Sequence, residues 1–125
     1  MSVGNTRRTL TVMSFLPSDV VTASVDGTGV DLRDYEGAIT LILDAEAGGS
    51  GVTYAVKVQD SDDNSTFGDV TDAAFTTPTA DTALVESLVV DSNELKRYAR
   101  VVVTVAGGTG AGAVSVTALG ANKYL

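Results

Sequence analysis

The chain has 125 residues, a mass of 12.8 kDa and a formal charge of −8, which suits one domain with one modest core and leaves no room for a second. It contains no Cys and no His, and this excludes thiolate nucleophiles, disulfides, Cys/His zinc sites and any Ser-His-Asp triad. Sixteen acidic against eight basic residues repel phosphate backbones and anionic membranes, so neither nucleic acid nor membrane is an expected partner and the charge reads as a solubility device.

The first stretch, MSVGNTRRTLTVMSFLPSD, has no apolar run long enough for a secretory leader, and the lack of Cys fits a reducing compartment. Residues 1–18 carry the basic pair Arg7-Arg8 and then an apolar patch, Leu10 to Leu16, closed by Pro17. That patch is too short to form a core of its own. It reads either as an edge strand or as an arm whose partner lies on another subunit, preceding a β-domain over 19–125. Arg7, Arg8, Leu10, Val12, Phe15 and Leu16 are therefore candidate partner-binding residues.

From Val20 onward the repeating signal has period two. A weak strand is expected in DVVTAS, followed by a turn at Asp26-Gly27-Thr28-Gly29. GAITLILDAE is almost wholly apolar from Ile39 to Leu43, as in a strand buried on both faces. After the turn Gly48-Gly49-Ser50-Gly51 comes the clearest alternation, with Val52, Tyr54, Val56 and Val58 expected inside and Thr53, Lys57 and Gln59 outside.

DSDDNS reads as a polar turn and TALVESLVVD as a further strand. DSNELKRY is a one-turn connector with Asp91 as its cap. RYARVVVTVAG then puts Ala99, Val101, Val103 and Val105 on one face and Tyr98, Arg100, Val102 and Thr104 on the other. GGTGAG reads as a flexible hairpin loop leading to the last strand, GAVSVTALGA. Short β-branched strands with such punctuation predict an all-β, single-domain β-sandwich or small barrel.

The motifs that suggest chemistry fail their tests. Asp60-Ser61-Asp62-Asp63-Asn64 spaces its oxygens like a calcium loop, but the sixth position is Ser65 instead of Gly and the twelfth is Thr71 instead of Glu. A solvated turn is expected there, and the sequon Asn64-Ser65-Thr66 is an accident of its polarity. The run Gly107 to Gly112 matches GxGxxG in no register and precedes a strand, so it is no phosphate cradle. A carboxylate pair for glycoside hydrolysis lacks the aromatic platforms such sites use, since there is no Trp. No enzymatic activity, metal or cofactor is expected. Tyr98 and Arg100 share a strand face as a stacked or hydrogen-bonded pair, which suits either a half-buried sheet edge or an intersubunit contact.

Four segments carry a resemblance: AITLILDAEAG, YAVKVQDSDDNSTFGDV, ELKRYARVVVTV and AVSVTALGANKYL. An acidic turn followed by an aromatic residue, Phe67, and an R-Y-x-R strand, Arg97-Tyr98-Ala99-Arg100, are its particular marks. In this order they resemble small virion β-sandwich proteins of tailed bacteriophages, in particular head decoration (cement) proteins. The match spans Asp31 to Leu125 and departs from the pattern in lacking a Trp after the acidic turn.

The resemblance implies a structural role without catalytic residues. The chain would bind the major capsid protein on the exterior of the phage head, as a homo-oligomer of three subunits assembled in the host bacterial cytoplasm. A head–tail connector or tail component, or a carbohydrate-binding or adhesion module, is the alternative.

Overall fold

The computed structural model describes residues 10–47, 51–76, 82–108 and 112–123. Among these residues nine strands follow one another: β1 (Leu10–Val20), β2 (Val25–Asp26), β3 (Val30–Asp31), β4 (Tyr35–Ala45), β5 (Thr53–Ser61), β6 (Gly68–Ala74), β7 (Leu84–Asp91), β8 (Tyr98–Ala106) and β9 (Ala113–Asn122). They form two antiparallel sheets, one ordered β1-β9-β4-β7 and the other β2-β8-β5-β6, with β3 also on β8. Both sheets are open, so the fold is a sandwich and not a closed barrel.

Since β2 pairs with β8 at Val103 and Val102, and β3 pairs with it at Ala99 and Tyr98, the two are halves of one interrupted edge strand. Counted so, eight strands make a jelly roll, in which most connections cross from one sheet to the other.

The alternation read from the sequence fixes which side of each strand faces the core. Val52, Tyr54, Val56 and Val58 are buried, as are Ala99, Val101 and Val103. These pack against Ile39, Leu41, Leu43 and Ala45 of β4 and Val114, Val116 and Ala118 of β9. Val105, expected inside, is only half-buried near the end of β8. Lys57 and Gln59, expected outside, are half-buried because β6 lies alongside and its Asp69 holds both. On β4 only one face is covered: Thr40 and Ile42 look outward and are half-buried, contrary to the expectation of burial on both sides.

The segment Leu10–Val20 is an edge strand that crosses residue 18 and pairs with β9 from Leu10↔Ala121 to Val20↔Ala113. Its Met13, Phe15 and Leu16 belong to the common core. Register shifts after Ser14 and after Leu16 explain how the consecutive Phe15 and Leu16 are both buried: a bulge re-aims one of them. Residues 1–9, with Arg7 and Arg8, lie outside the described residues. The strand expected in DVVTAS is no separate element, because its first two residues end β1.

The glycine-rich Gly107 to Gly112 stretch is not a hairpin loop. It joins β8 to β9, which belong to different sheets, and Thr109 to Ala111 lie outside the described residues. Its end is tightly packed. A Cβ on Gly112 would stand 2.7 Å from the Ala47 carbonyl oxygen and 2.8 Å from that of Glu46. The expected one-turn connector is present, with Asp91 capping it: its carbonyl accepts from Glu94 and Leu95 N–H, and its Oδ1 accepts from Asn93 N–H at 2.9 Å.

Candidate functional site

The candidate residues fall on opposite sides of the sandwich. Phe15 and Leu16 are inside it and unavailable to a partner. Tyr98 and Arg100 lie on the outer face of the second sheet, and Leu10 and Val12 on the outer face of the first. No single surface contains them all.

On the second sheet the outer face is a polar network. Arg100 donates through Nε and Nη2 to Gln59 Oε1 at 3.0 and 2.8 Å, lies over the Phe67 ring at 4.2 Å and stands 3.7 Å from Asp26. Gln59 passes the chain on by donating to Asp69 Oδ1 at 2.8 Å, while Lys57 donates to Asp69 Oδ2 at 3.0 Å. These two donors, Gln59 foremost, hold the Asp69 carboxyl below its ordinary range. Arg97 makes a two-pronged contact with Asp31 at 3.2 and 2.9 Å and covers the Tyr98 ring at 4.9 Å. The guanidinium foremost, then the Arg33 N–H, lowers the Asp31 pKa, and Asp31 raises that of Arg97.

The expected stacking partner of each residue is therefore corrected: Tyr98 is covered by Arg97, and Arg100 covers Phe67. β8 is also an interior strand, between β2 and β5, so neither residue sits at a sheet edge. The joining of Phe67 to Arg100 gives a physical reason for the aromatic residue after the acidic turn, since planar guanidinium and ring attract face to face.

That turn is organised by one carboxylate. Asp63 Oδ1 accepts from Thr66 N–H at 2.8 Å, the Ser61 hydroxyl at 2.8 Å and Ser65 N–H at 2.9 Å. These donors, Thr66 first, lower its pKa to about 2. Among the described residues no group of three or more acidic side chains is placed to hold a metal ion.

The outer face of the first sheet has a different character. Register places Val12, Leu119, Thr40 and Val89 in one row across all four strands, with Ser14, Thr117, Ile42 and Ser87 in the next. Leu10, Val12, Val85 and Val89 are 65%, 67%, 69% and 61% exposed; the two rows contain no charge, while the exposed Asp44, beside Val85, and Asp91, beside Ala38, border them. Exposed apolar residues concentrated on one face mark a contact surface, whereas scattered ones would mean nothing. Sequence reasoning finds the β1 half of this surface and misses Val85 and Val89. Their period-two alternation is visible, but it does not say which face is outermost. Beside β7 the sandwich opens into a cleft of about 670 Å³ toward β6, lined by Val70, Ala73, Val90 and Leu95 and by Asp69, Asp72, Asp91 and Glu94.

No protein-family model matches the chain, and no curated protein matches it in sequence. Its fold is similar to that of the PBSX exported protein XepA, with a TM-score of 0.63 and 15% identity over 90% of this chain and 37% of that one. The SPBc2 prophage-derived protein YomS gives 0.56 and 15% identity over 90% of this chain and 92% of that one. VP2 of infectious bursal disease virus, in a subviral particle, gives 0.55 and 14% identity over 94% and 33%. The chain thus spans about a third of the length of XepA and of VP2 and nearly all of YomS. The β-sandwich implied by the resemblance to phage virion proteins is the architecture these prophage and virus proteins have.

Proposed function

We propose that the chain is a structural component of a phage virion, and specifically a decoration protein on the exterior of the head. The observation that carries this reading is the jelly roll itself, similar along its length to a prophage-derived protein and to one part of a virus-particle protein. It is joined to the sequence resemblance over Asp31 to Leu125. Jelly rolls serve in shells and in lectins alike, so fold alone does not choose between them. The two central rows on the outer face of the β1-β9-β4-β7 sheet carry neither a charge nor an aromatic ring, which favours protein contact over sugar, because sugar sites present aromatic platforms.

In this reading Leu10 and Val12 contact the major capsid protein, with Arg7 and Arg8 just before them. Tyr98 and Arg100 contribute to a second contact, between subunits. The test is co-sedimentation of the purified chain with heads lacking it. The chain with Leu10→Asp and Val12→Asp should keep its β circular-dichroism spectrum and lose head binding. Retained binding would move the docking surface elsewhere. A head–tail connector is the second reading within the same class, and copy number separates them: hundreds per virion for decoration, a dozen or fewer for a ring.

A further inference from the structure

The two sheets have four edges, and three are blunted. β1 carries Pro17 and two register shifts. The β2/β3 edge is broken into two-residue pieces. β6 loses register against β5 between Lys57 and Gln59, and its Asp72 has φ 58°. These are the devices by which proteins keep sheet edges from pairing with other chains. β7 has neither a proline, a register shift nor a break; its one inward charge, Glu86, is taken up by the Thr76 N–H at 2.7 Å. It pairs with β4 residue for residue from Ala45↔Leu84 to Ala38↔Asp91 with no shift, and its sequence, LVESLVVD, contains no Pro, Gly, Lys or Arg. Among the described residues no strand lies on its other side.

We propose that β7 pairs with β7 of a second copy, antiparallel across a two-fold axis normal to the sheet, so that two sandwiches share one continuous eight-stranded sheet. Such an axis keeps the outer face outward in both copies, so facing residues must share a side of the strand. With the axis at Ser87, Val85 faces the partner's Val89, and Val89 faces the partner's Val85. Leu84 then meets the partner's Val90, Glu86 meets the partner's Leu88, and Asp91 meets the partner's Ala83. The two most exposed valines of the strand become cross-strand pairs, and no carboxylate faces another. Moving the axis to Glu86 would set Glu86 against its own copy, and moving it to Leu88 would set Val85 against Asp91. The sequence is thus self-complementary in one register. An eight-residue ladder is only about 27 Å long, a contact at the small end of stable interfaces. The dimer is therefore concentration-dependent and, with each copy at −8, strengthened by salt.

The inference is independent of the virion reading, and its test uses the full chain alone. Sedimentation equilibrium at rising concentration should approach twice 12.8 kDa. Val89→Lys, a change at an exposed position, should leave the circular dichroism intact and give a monomer. Because the chain has no Cys, Ser87→Cys places one thiol opposite its copy within disulfide reach, and mild oxidation should give a covalent dimer. Ser14→Cys, on the bulged β1 edge, should not. A native chain that stays monomeric, a trimer mass, association unaffected by Val89→Lys, or equal cross-linking by Ser14→Cys would each overturn the proposal.

Discussion

Replacing Tyr54 with Phe removes one buried oxygen at one end of the sandwich and leaves the packing volume in place. Tyr54 is 1% exposed, and its hydroxyl accepts from the buried Gly112 N–H at 2.9 Å. Gly112 in turn accepts from Val21 N–H at 3.1 Å and lies against the Glu46 and Ala47 carbonyls. One contact therefore ties β5 to the end of β1, the end of β4 and the start of β9. Without the hydroxyl, a buried N–H loses its acceptor, which costs about 1–3 kcal/mol. At roughly 2.1 cal/mol/K per residue, unfolding 125 residues carries an entropy of about 260 cal/mol/K, so the midpoint should fall by roughly 4–11 °C.

Differential scanning calorimetry of Tyr54→Phe measures this directly. Gly112→Ala, which forces two backbone carbonyls aside, should cost at least as much, and the double variant less than the sum because both act on one contact. A Tyr54→Phe midpoint within a degree of the parent would refute the reasoning, since Gly112 would then be finding another partner at no cost.

Val103→Ala at a fully buried position of β8 should cost on the order of 1–3 kcal/mol, read as a lower urea midpoint with an unchanged slope. Asp63, whose pKa falls from 3.8 to about 2 on folding, contributes stability that is complete above its unfolded pKa. That contribution is lost as pH falls from about 4 toward 2. Asp63→Asn should flatten the acid limb of a midpoint-against-pH curve in that window and leave the slope above pH 5 unchanged. Arg100→Lys keeps the charge but loses the fork on Gln59 and the face on Phe67, so a destabilisation of about 1 kcal/mol is expected in chemical denaturation.

How far the residues alone can lead is clearest strand by strand. β5 and β8 are legible because each buries one face against the opposite sheet, and Val56 or Val103 in alternation with Lys57 or Thr104 states that directly. β4 misleads because Ile39 to Leu43 is apolar on both sides, and an apolar side chain does not reveal whether a second layer covers it. β1 is ambiguous because its bulges break period two between Ser14 and Asp19, so Phe15 and Leu16 read as an unanchored patch. β6, GDVTDAA, escapes notice. It is a polar edge strand held by Asp69 on Lys57 and Gln59, and only its partner makes it a strand. The same applies to the Gly107 to Gly112 connection: a glycine run fixes that the chain turns, but not into which sheet it goes. Of the candidate contact residues, exposure sorts Leu10 and Val12 from Phe15 and Leu16, and strand order separates them from Tyr98 and Arg100. Neither quantity is written in local sequence.

If the chain is part of a virion shell, as proposed, quantitative mass spectrometry of purified virions from a phage or induced prophage carrying its gene will find it there. A shell role predicts the chain in hundreds of copies per particle, in fixed proportion to the major capsid protein and released with the outer surface of the head. Its absence from purified virions, with the protein recovered only from the infected-cell lysate, would contradict it.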